Sequence, residues 1–283
     1  MEQNDIHLHQ PIWRVIDQSE RQNECDALDS FAMDDTLCAL VGSKMSPPVA
    51  RLWVHHKTVV LGIQDSRLPG AMAGMDYLTA NGYQVIVRNS GGLAVPLDPG
   101  VLNISLVLPV ENVFSGIDDG YETMRQLVTE MLQPYGTHVE TGEIEGSYCP
   151  GRYDLSIGGR KFAGISQRRT KGGMAVQVFL LVSGSGRKRA EIIKQFYRLA
   201  VGHGPSSALY PSVKPETLAS LSELLSMDIT MSALRQRLID VLQAHANELV
   251  TTGLLPSEAE SFRYSRQRMA ERNEKSLYKL AKL

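Results

Sequence analysis

The spacing of apolar residues changes period several times along the chain, and each change marks a new element. Between Asn23 and Val41 the apolar positions Met33, Leu37, Leu40 and Val41 follow a helical repeat, and Gly42 is a natural stop. Ser46-Pro47-Pro48 reads as a loop. Arg51 to Ile63 alternates around Val59-Val60-Leu61 and predicts a strand, and Tyr83 to Arg88 predicts a second. A third, Val101 to Leu108, sets Leu102, Ile104, Leu106 and Leu108 on one face. Asp118-Asp119 then offers a cap to a helix whose stripe is Met124, Leu127, Val128, Met131 and Leu132, ended by Pro134.

The clearest local pattern follows. Tyr153 to Ile157 and Arg160 to Arg168 flank Gly158-Gly159, a two-residue hairpin turn, and Lys171-Gly172-Gly173 turns the chain again into Met174 to Val182. Helical spacing returns around Ile192 to Ala200, Thr217 to Leu225 and Leu234 to Leu249. Strands followed by helices, without strict alternation, argue for an α+β fold with mixed, mostly antiparallel sheets flanked by helices. Met1 to Arg21 shows no sustained period and reads as a lead-in. The expected division is an N-terminal arm over 1–29, one domain over 30–249, and a charged helical segment over 250–283 with Phe262, Met269, Leu277 and Leu280 on a thin apolar face.

Charge narrows the function classes. Against 29 basic residues stand 31 acidic ones, a net charge of −2, so no global field points to nucleic acid or to a membrane surface. The apolar runs are far too short to span a bilayer, and the N-terminus has no apolar signal core. Three cysteines suggest no disulfide framework; Cys25 and Cys38 fall in a helical pattern as small packed hydrophobes, and the reducing cytoplasm is the expected compartment.

The candidate chemistry centres on Cys149. It sits on the punctuated loop Ser147-Tyr148-Cys149-Pro150-Gly151, twelve residues before Lys161 in Gly159-Arg160-Lys161-Phe162-Ala163-Gly164. A lysine delivered close to such a cysteine favours thiolate over thiol, and the thiolate is the nucleophile. In Arg88-Asn89-Ser90-Gly91-Gly92-Leu93 a strand runs into a Gly-Gly turn, where backbone can approach a ligand closely. No helix opens after it and no Lys-Ser/Thr follows, so it is neither a dinucleotide fingerprint nor a P-loop. By itself a plain hairpin turn is the default reading of that segment. His55 and His56 alternate along a strand, where satisfied or solvated histidines are the default.

The order of Trp53 to Gln64, Arg88 to Leu106, Gly151-Arg152-Tyr153-Asp154-Leu155 and Gly159 to Gly164 resembles the biotin/lipoate protein ligase family, with Ser30 to Leu37 matching the helix that precedes them. The resemblance runs from Ser30 to Leu249 and is strongest to an amidotransferase branch, through the runs around Cys149 and Arg88. It implies a biotin/lipoate ligase-like catalytic domain in which Arg88, Gly91, Gly92, Asp154 and Gly164 bind substrate. It also implies that Cys149 carries an acyl thioester with Lys161 beside it. Leu93 stands where ATP-dependent ligases have a third glycine, Tyr153 where they have Asn, and Leu97 where relatives carry a histidine. The first two departures argue against adenylation, and the third removes a histidine acid/base.

The activity so implied is transfer of an octanoyl group from the octanoylated H protein of the glycine cleavage system to the lysine of lipoyl domains on 2-oxoacid dehydrogenase complexes, with no cofactor and no metal. Lys161 and backbone N–H groups near Gly91-Gly92 are the expected oxyanion donors. An octanoyl-acyl carrier protein transferase, an ATP-dependent lipoate ligase and a non-catalytic binding module are the competing expectations. Arg168, Arg169 and Lys171, and likewise Arg187, Lys188 and Arg189, form basic turns whose default reading is solvated charge and whose functional alternative is docking of acidic carrier domains.

Overall fold

The computed structural model describes residues 7–20, 26–110, 116–201 and 210–280. Its strands are β1 (Gln10–Gln18), β2 (Val49–Trp53), β3 (Thr58–Leu61), β4 (Gln84–Val87), β5 (Val95–Leu97), β6 (Val101–Pro109), β7 (Glu140–Thr141), β8 (Leu155–Ile157), β9 (Arg160–Thr170), β10 (Gly173–Leu181) and β11 (Ala246–Thr251). The helices are α1 (Ala27–Gly42), α2 (Ala71–Ala80), α3 (Asp118–Leu132), α4 (Gly186–Val201), α5 (Leu221–Leu225), α6 (Met231–Ala244) and α7 (Ala259–Leu280). An eight-stranded sheet runs in the order β11-β1-β2-β6-β10-β9-β8-β7, beside a three-stranded sheet β4-β3-β5. Strand β1 pairs in parallel with both neighbours, and every pairing from β2 across to β7 is antiparallel. The expected α+β class with mostly antiparallel sheets and flanking helices is what forms.

The large sheet separates two cores. Leu102, Ile104, Leu106 and Leu108 of β6 face the α3 stripe, all buried, together with Leu234, Leu238 and Leu242 of α6. On the other face Met33, Leu37 and Cys38 of α1 pack on Val107 and Ala175, and the small sheet packs with α2 and α4 into a further cluster containing Val60, Leu61, Phe196 and Tyr197. Helix α1 starts where the Asp26 carboxylate accepts from Leu28 N. Phe262, Met269 and Leu277 bring α7 onto these cores, a packing that the sequence left open. No described helix is long and apolar enough to cross a membrane.

Four element expectations are corrected. Arg51–Ile63 is two strands in different sheets, because the chain leaves β2 after Trp53 and re-enters at Thr58. The segment before Arg21 supplies β1, whose inner residues Trp13 to Ile16 are buried on both faces and therefore show no period. The last part of Leu234–Leu249 is the edge strand β11, paired with β1. Asp118 and Asp119 lie in the first turn of α3 rather than at its cap, where Asp119 accepts from Gly116 N at 2.9 Å. Cys25 lies outside the described residues.

Candidate active site

The β8–β9 hairpin builds one wall. Gly158 and Gly159 have φ of 55° and 71°, the positive pair a type I′ turn demands, and the turn pairs Ile157 with Arg160. In register with that turn Lys161 lies opposite Ser156, and a shift just beyond this pair sets Leu155 opposite Ala163. Lys161 is fully buried, so the reading of a surface strand-end lysine does not hold. Its ammonium meets Asp154 Oδ2 at 2.9 Å and donates to Tyr148 O at 2.9 Å, Cys149 O at 2.8 Å and Ser147 Oγ at 3.4 Å. Burial pushes the Asp154 carboxyl above its ordinary range, with the Lys161 ammonium and the Gly151 N–H pulling the other way. The ion pair thus fastens the 147–151 loop to the hairpin.

That grip falls on a strained residue. Cys149 has φ of 45°, the left-handed region that costs an ordinary side chain about 1–3 kcal/mol. With its carbonyl turned to Lys161, its sulfur turns to the glycine-rich segment. There Sγ accepts from Leu93 N–H at 3.1 Å and lies 3.5 Å from Arg88 Nη2, which also donates to Leu93 O at 2.7 Å. The direct donors to the sulfur are therefore Arg88 and a backbone amide, whereas sequence spacing pointed to Lys161, which engages the backbone of the same residue. A backbone N–H and a guanidinium are both groups that stabilise negative charge on sulfur.

Gly92 makes the approach possible. Its φ is 100°, and a Cβ there would stand 2.3 Å from Arg88 Nη2 and 3.0 Å from Cys149 Sγ. Gly91, by contrast, has nothing within 4 Å of such an atom. Behind the loop, Ala94 N donates to Tyr197 Oη at 3.3 Å, and that hydroxyl donates to Asp65 Oδ1 at 2.9 Å. Asp65 Oδ2 accepts from Gly62 N at 2.8 Å. Burial pushes the Asp65 carboxyl up to about 6, against the Gly62 and Tyr197 hydrogen bonds. Sequence reasoning expected backbone N–H donors near Gly91-Gly92, of which Leu93 N–H is one, and missed Tyr197 and Asp65. Neither Tyr197 nor Asp65 lies in a motif of its own.

These walls enclose a cavity of about 230 Å³. Arg88, Gly91, Gly92, Cys149, Asp154 and Gly164 all line it; Lys161 stands behind the lining. Phe31, Trp53, Val60, Val95, Leu97 and Phe179 give it an apolar surface. Gly164 admits the Phe179 ring, since a Cβ there would come 2.6 Å from it. Leu97, in the place of the family histidine, adds only apolar wall. His55 is buried against Ser30 Oγ at 3.0 Å, with burial and then Arg51 pushing it down to about 4, and His56 is exposed; neither lines the cavity.

The basic turns are more committed than solvated charge. Arg168 holds Asp35 with Nε at 2.5 Å and Nη2 at 3.0 Å, Arg169 donates to Gly116 O, and Arg189 holds Asp98 through two bonds of 2.7 Å. Arg187 pairs with Glu191.

The sequence profile of the lipoyl protein ligase A/B catalytic domain matches residues 26–243. The chain belongs to the lipoyl protein ligase A/B catalytic-domain family. It is 55% identical over 270 residues to an octanoyl-[GcvH]:protein N-octanoyltransferase of Bacillus velezensis, covering 95% of this chain and 94% of that protein. To a lipoyl-[GcvH]:protein N-lipoyltransferase of Listeria monocytogenes it is 46% identical over 270 residues, covering 95% and 97%. Among solved structures, a lipoate-protein ligase A bound with ATP superposes with a TM-score of 0.68 at 19% identity, covering 92% of this chain and 95% of that one. A bi-partite lipoate protein ligase from Thermoplasma acidophilum gives 0.65 at 19% identity, covering 92% and 93%. At that identity the family fold is what the two structures share with this chain.

Proposed function

We propose that this chain is an octanoyl-[GcvH]:protein N-octanoyltransferase that moves an octanoyl group from the glycine cleavage H protein to the lysine of lipoyl domains on 2-oxoacid dehydrogenase complexes, through a thioester on Cys149. The observation that carries the reading is a strained cysteine whose sulfur sits between Arg88 and Leu93 N–H at the wall of an apolar cavity. Two relatives that match over nearly the whole chain, at 55% and 53% identity, bear that activity in their names. A dry cavity of about 150 Å³ accepts benzene, so one of 230 Å³ has room for an eight-carbon chain.

In the first step Cys149 Sγ bonds to the carbonyl carbon of the octanoyl-lysine amide. The C–N bond breaks, and the donor lysine leaves as an amine carrying the thiol's proton. In the second step the acceptor lysine attacks the thioester carbon, the C–S bond breaks, and the sulfur regains a proton from the incoming amine. One amide replaces another, so the exchange is close to thermoneutral and consumes no ATP. Leu93 N–H and Arg88 are the donors for the oxyanion of each tetrahedral intermediate, a contribution of about 3–4 kcal/mol for one good donor. Lys161 acts as a positioning residue, holding the Cys149 carbonyl so that the sulfur faces the cavity. The reaction fits the cytoplasm, where a free thiol at Cys149 persists.

Intact-mass measurement after mixing with octanoyl-H protein tests this. One octanoyl group, released by hydroxylamine and absent from Cys149→Ala, is the expected result. Undiminished transfer by Cys149→Ala would sink the thioester mechanism.

A further inference from the structure

Among the described residues, α7 carries a row of basic side chains without carboxylate partners. Arg268, Arg272 and Lys275 follow the i, i+4, i+7 spacing of one helix face and are all exposed. Arg268 and Arg272 line two grooves: one is completed by Arg67 and Lys275, the other by Lys171 and Asn89. Arg168, Arg187 and Arg189 are tied to carboxylates. Among the described residues none of Arg67, Lys171, Arg268, Arg272 and Lys275 has a carboxylate partner; Lys171 and Arg268 only stack on the Tyr264 ring, at 5.3 Å and 5.6 Å. Glu271 and Asp35 are the acids in these grooves, and Arg168 already neutralises Asp35. A chain of net charge −2 thus presents a ridge of the opposite sign.

The ridge stands at the rim of the acyl cavity. On β9, Ser166 lines the cavity and Arg168, two residues along the same face, lines the second groove. On the glycine-rich segment Arg88 lines the cavity and Asn89 the groove, where the buried Asn89 Oδ1 has no partner. Val87 N donates to Asn273 Oδ1 of α7 at 2.8 Å, so the helix is fixed to the strand that delivers Arg88 to the sulfur.

We propose that the Arg268–Arg272–Lys275 face of α7, with Arg67 and Lys171, docks an acidic surface of the carrier domain whose lysine is being acylated or deacylated. This rests on the acyl-transfer reading for the identity of the partner. The docking moves to α7, with Lys171 kept, the role that the sequence offered to the basic turns, because Arg168, Arg187 and Arg189 of those turns are already held by carboxylates. A ridge of this kind speeds encounter and orients the carrier lysine toward the cavity mouth, and it loses its effect as salt rises.

The test is binding of a fluorescently labelled lipoyl domain and of H protein, followed by anisotropy at low and high salt. The probes are wild type, Arg268→Glu/Arg272→Glu/Lys275→Glu, and the milder triple glutamine variant with its thermal melt checked. Acylation of Cys149 by p-nitrophenyl octanoate, which needs no docking, is measured alongside. Expected are at least about tenfold weaker, salt-insensitive binding by the glutamate variant and an intermediate loss for the glutamine variant. Acylation by the small ester should be unchanged. Carrier binding equal to wild type in both variants at low salt overturns the proposal, as does a parallel loss with the small ester or a ridge that binds anionic vesicles and no carrier. Carrier binding through the ridge without any octanoyl transfer would instead count against the acyl-transfer reading alone.

Discussion

Lys161 places its ammonium among four acceptors, none of them the sulfur it was expected to serve. Its importance is consequently mechanical. Removing the Asp154 charge would leave that ammonium buried beside two carbonyls and the Ser147 hydroxyl with no counter-charge, so Asp154→Asn should cost about 3–5 kcal/mol in urea unfolding, as breaking a buried pair does. Arg88→Gln removes one donor from the sulfur and should slow Cys149 acylation by p-nitrophenyl octanoate about 10²-fold while leaving the melting temperature nearly unchanged. Cys149 was legible from its Pro/Gly-punctuated loop and Lys161 from its place beside a Gly-Gly turn, whereas Asp154 came only through the family resemblance. Leu93 N–H was legible only as one of the backbone donors near Gly91-Gly92, since a backbone atom leaves no mark in residue type.

At the scale of elements, Gly91 and Gly92 look interchangeable in sequence and are not. Gly92 has a positive φ and faces both Arg88 and the sulfur, whereas Gly91 faces open space. Gly92→Ala should abolish transfer, and Gly91→Ala should retain it within a few-fold; equal losses in a steady-state assay would contradict this asymmetry. The β8–β9 hairpin was marked by its Gly158-Gly159 turn. The period of apolar residues located α3, which has one wet and one buried face, and β6, where polar Asn103 and Ser105 alternate with leucine and isoleucine although both faces are buried. It failed for β1, buried on both faces, and for the break between β2 and β3, where the chain changes sheets without a proline or glycine to announce it.

For the whole molecule, two buried groups set opposing responses to acid. Asp65, pushed up to about 6, binds more protons folded than unfolded, so its contribution to stability grows as pH falls from about 6 to 4. His55, pushed down to about 4, binds fewer protons folded than unfolded, and its contribution is lost as pH falls from about 6.5 to 4. Each shift amounts to about 3 kcal/mol, so the two nearly cancel. Asp65→Asn removes one side of the balance. Its stability should fall more steeply than that of wild type between pH 6 and 4 in urea titrations, and matching slopes would refute the assignment. No sequence pattern announces either group, because both shifts come from burial by distant segments.

The crowding around Gly92 also bears on how such a protein diversifies. With no space between the guanidinium and the sulfur, that end of the cavity cannot absorb a new side chain, while Phe31, Trp53, Val60 and Leu97 are each contributed by a different element and can vary singly. Single substitutions along that apolar wall would change the length of chain the cavity takes, and the crowded end would admit none.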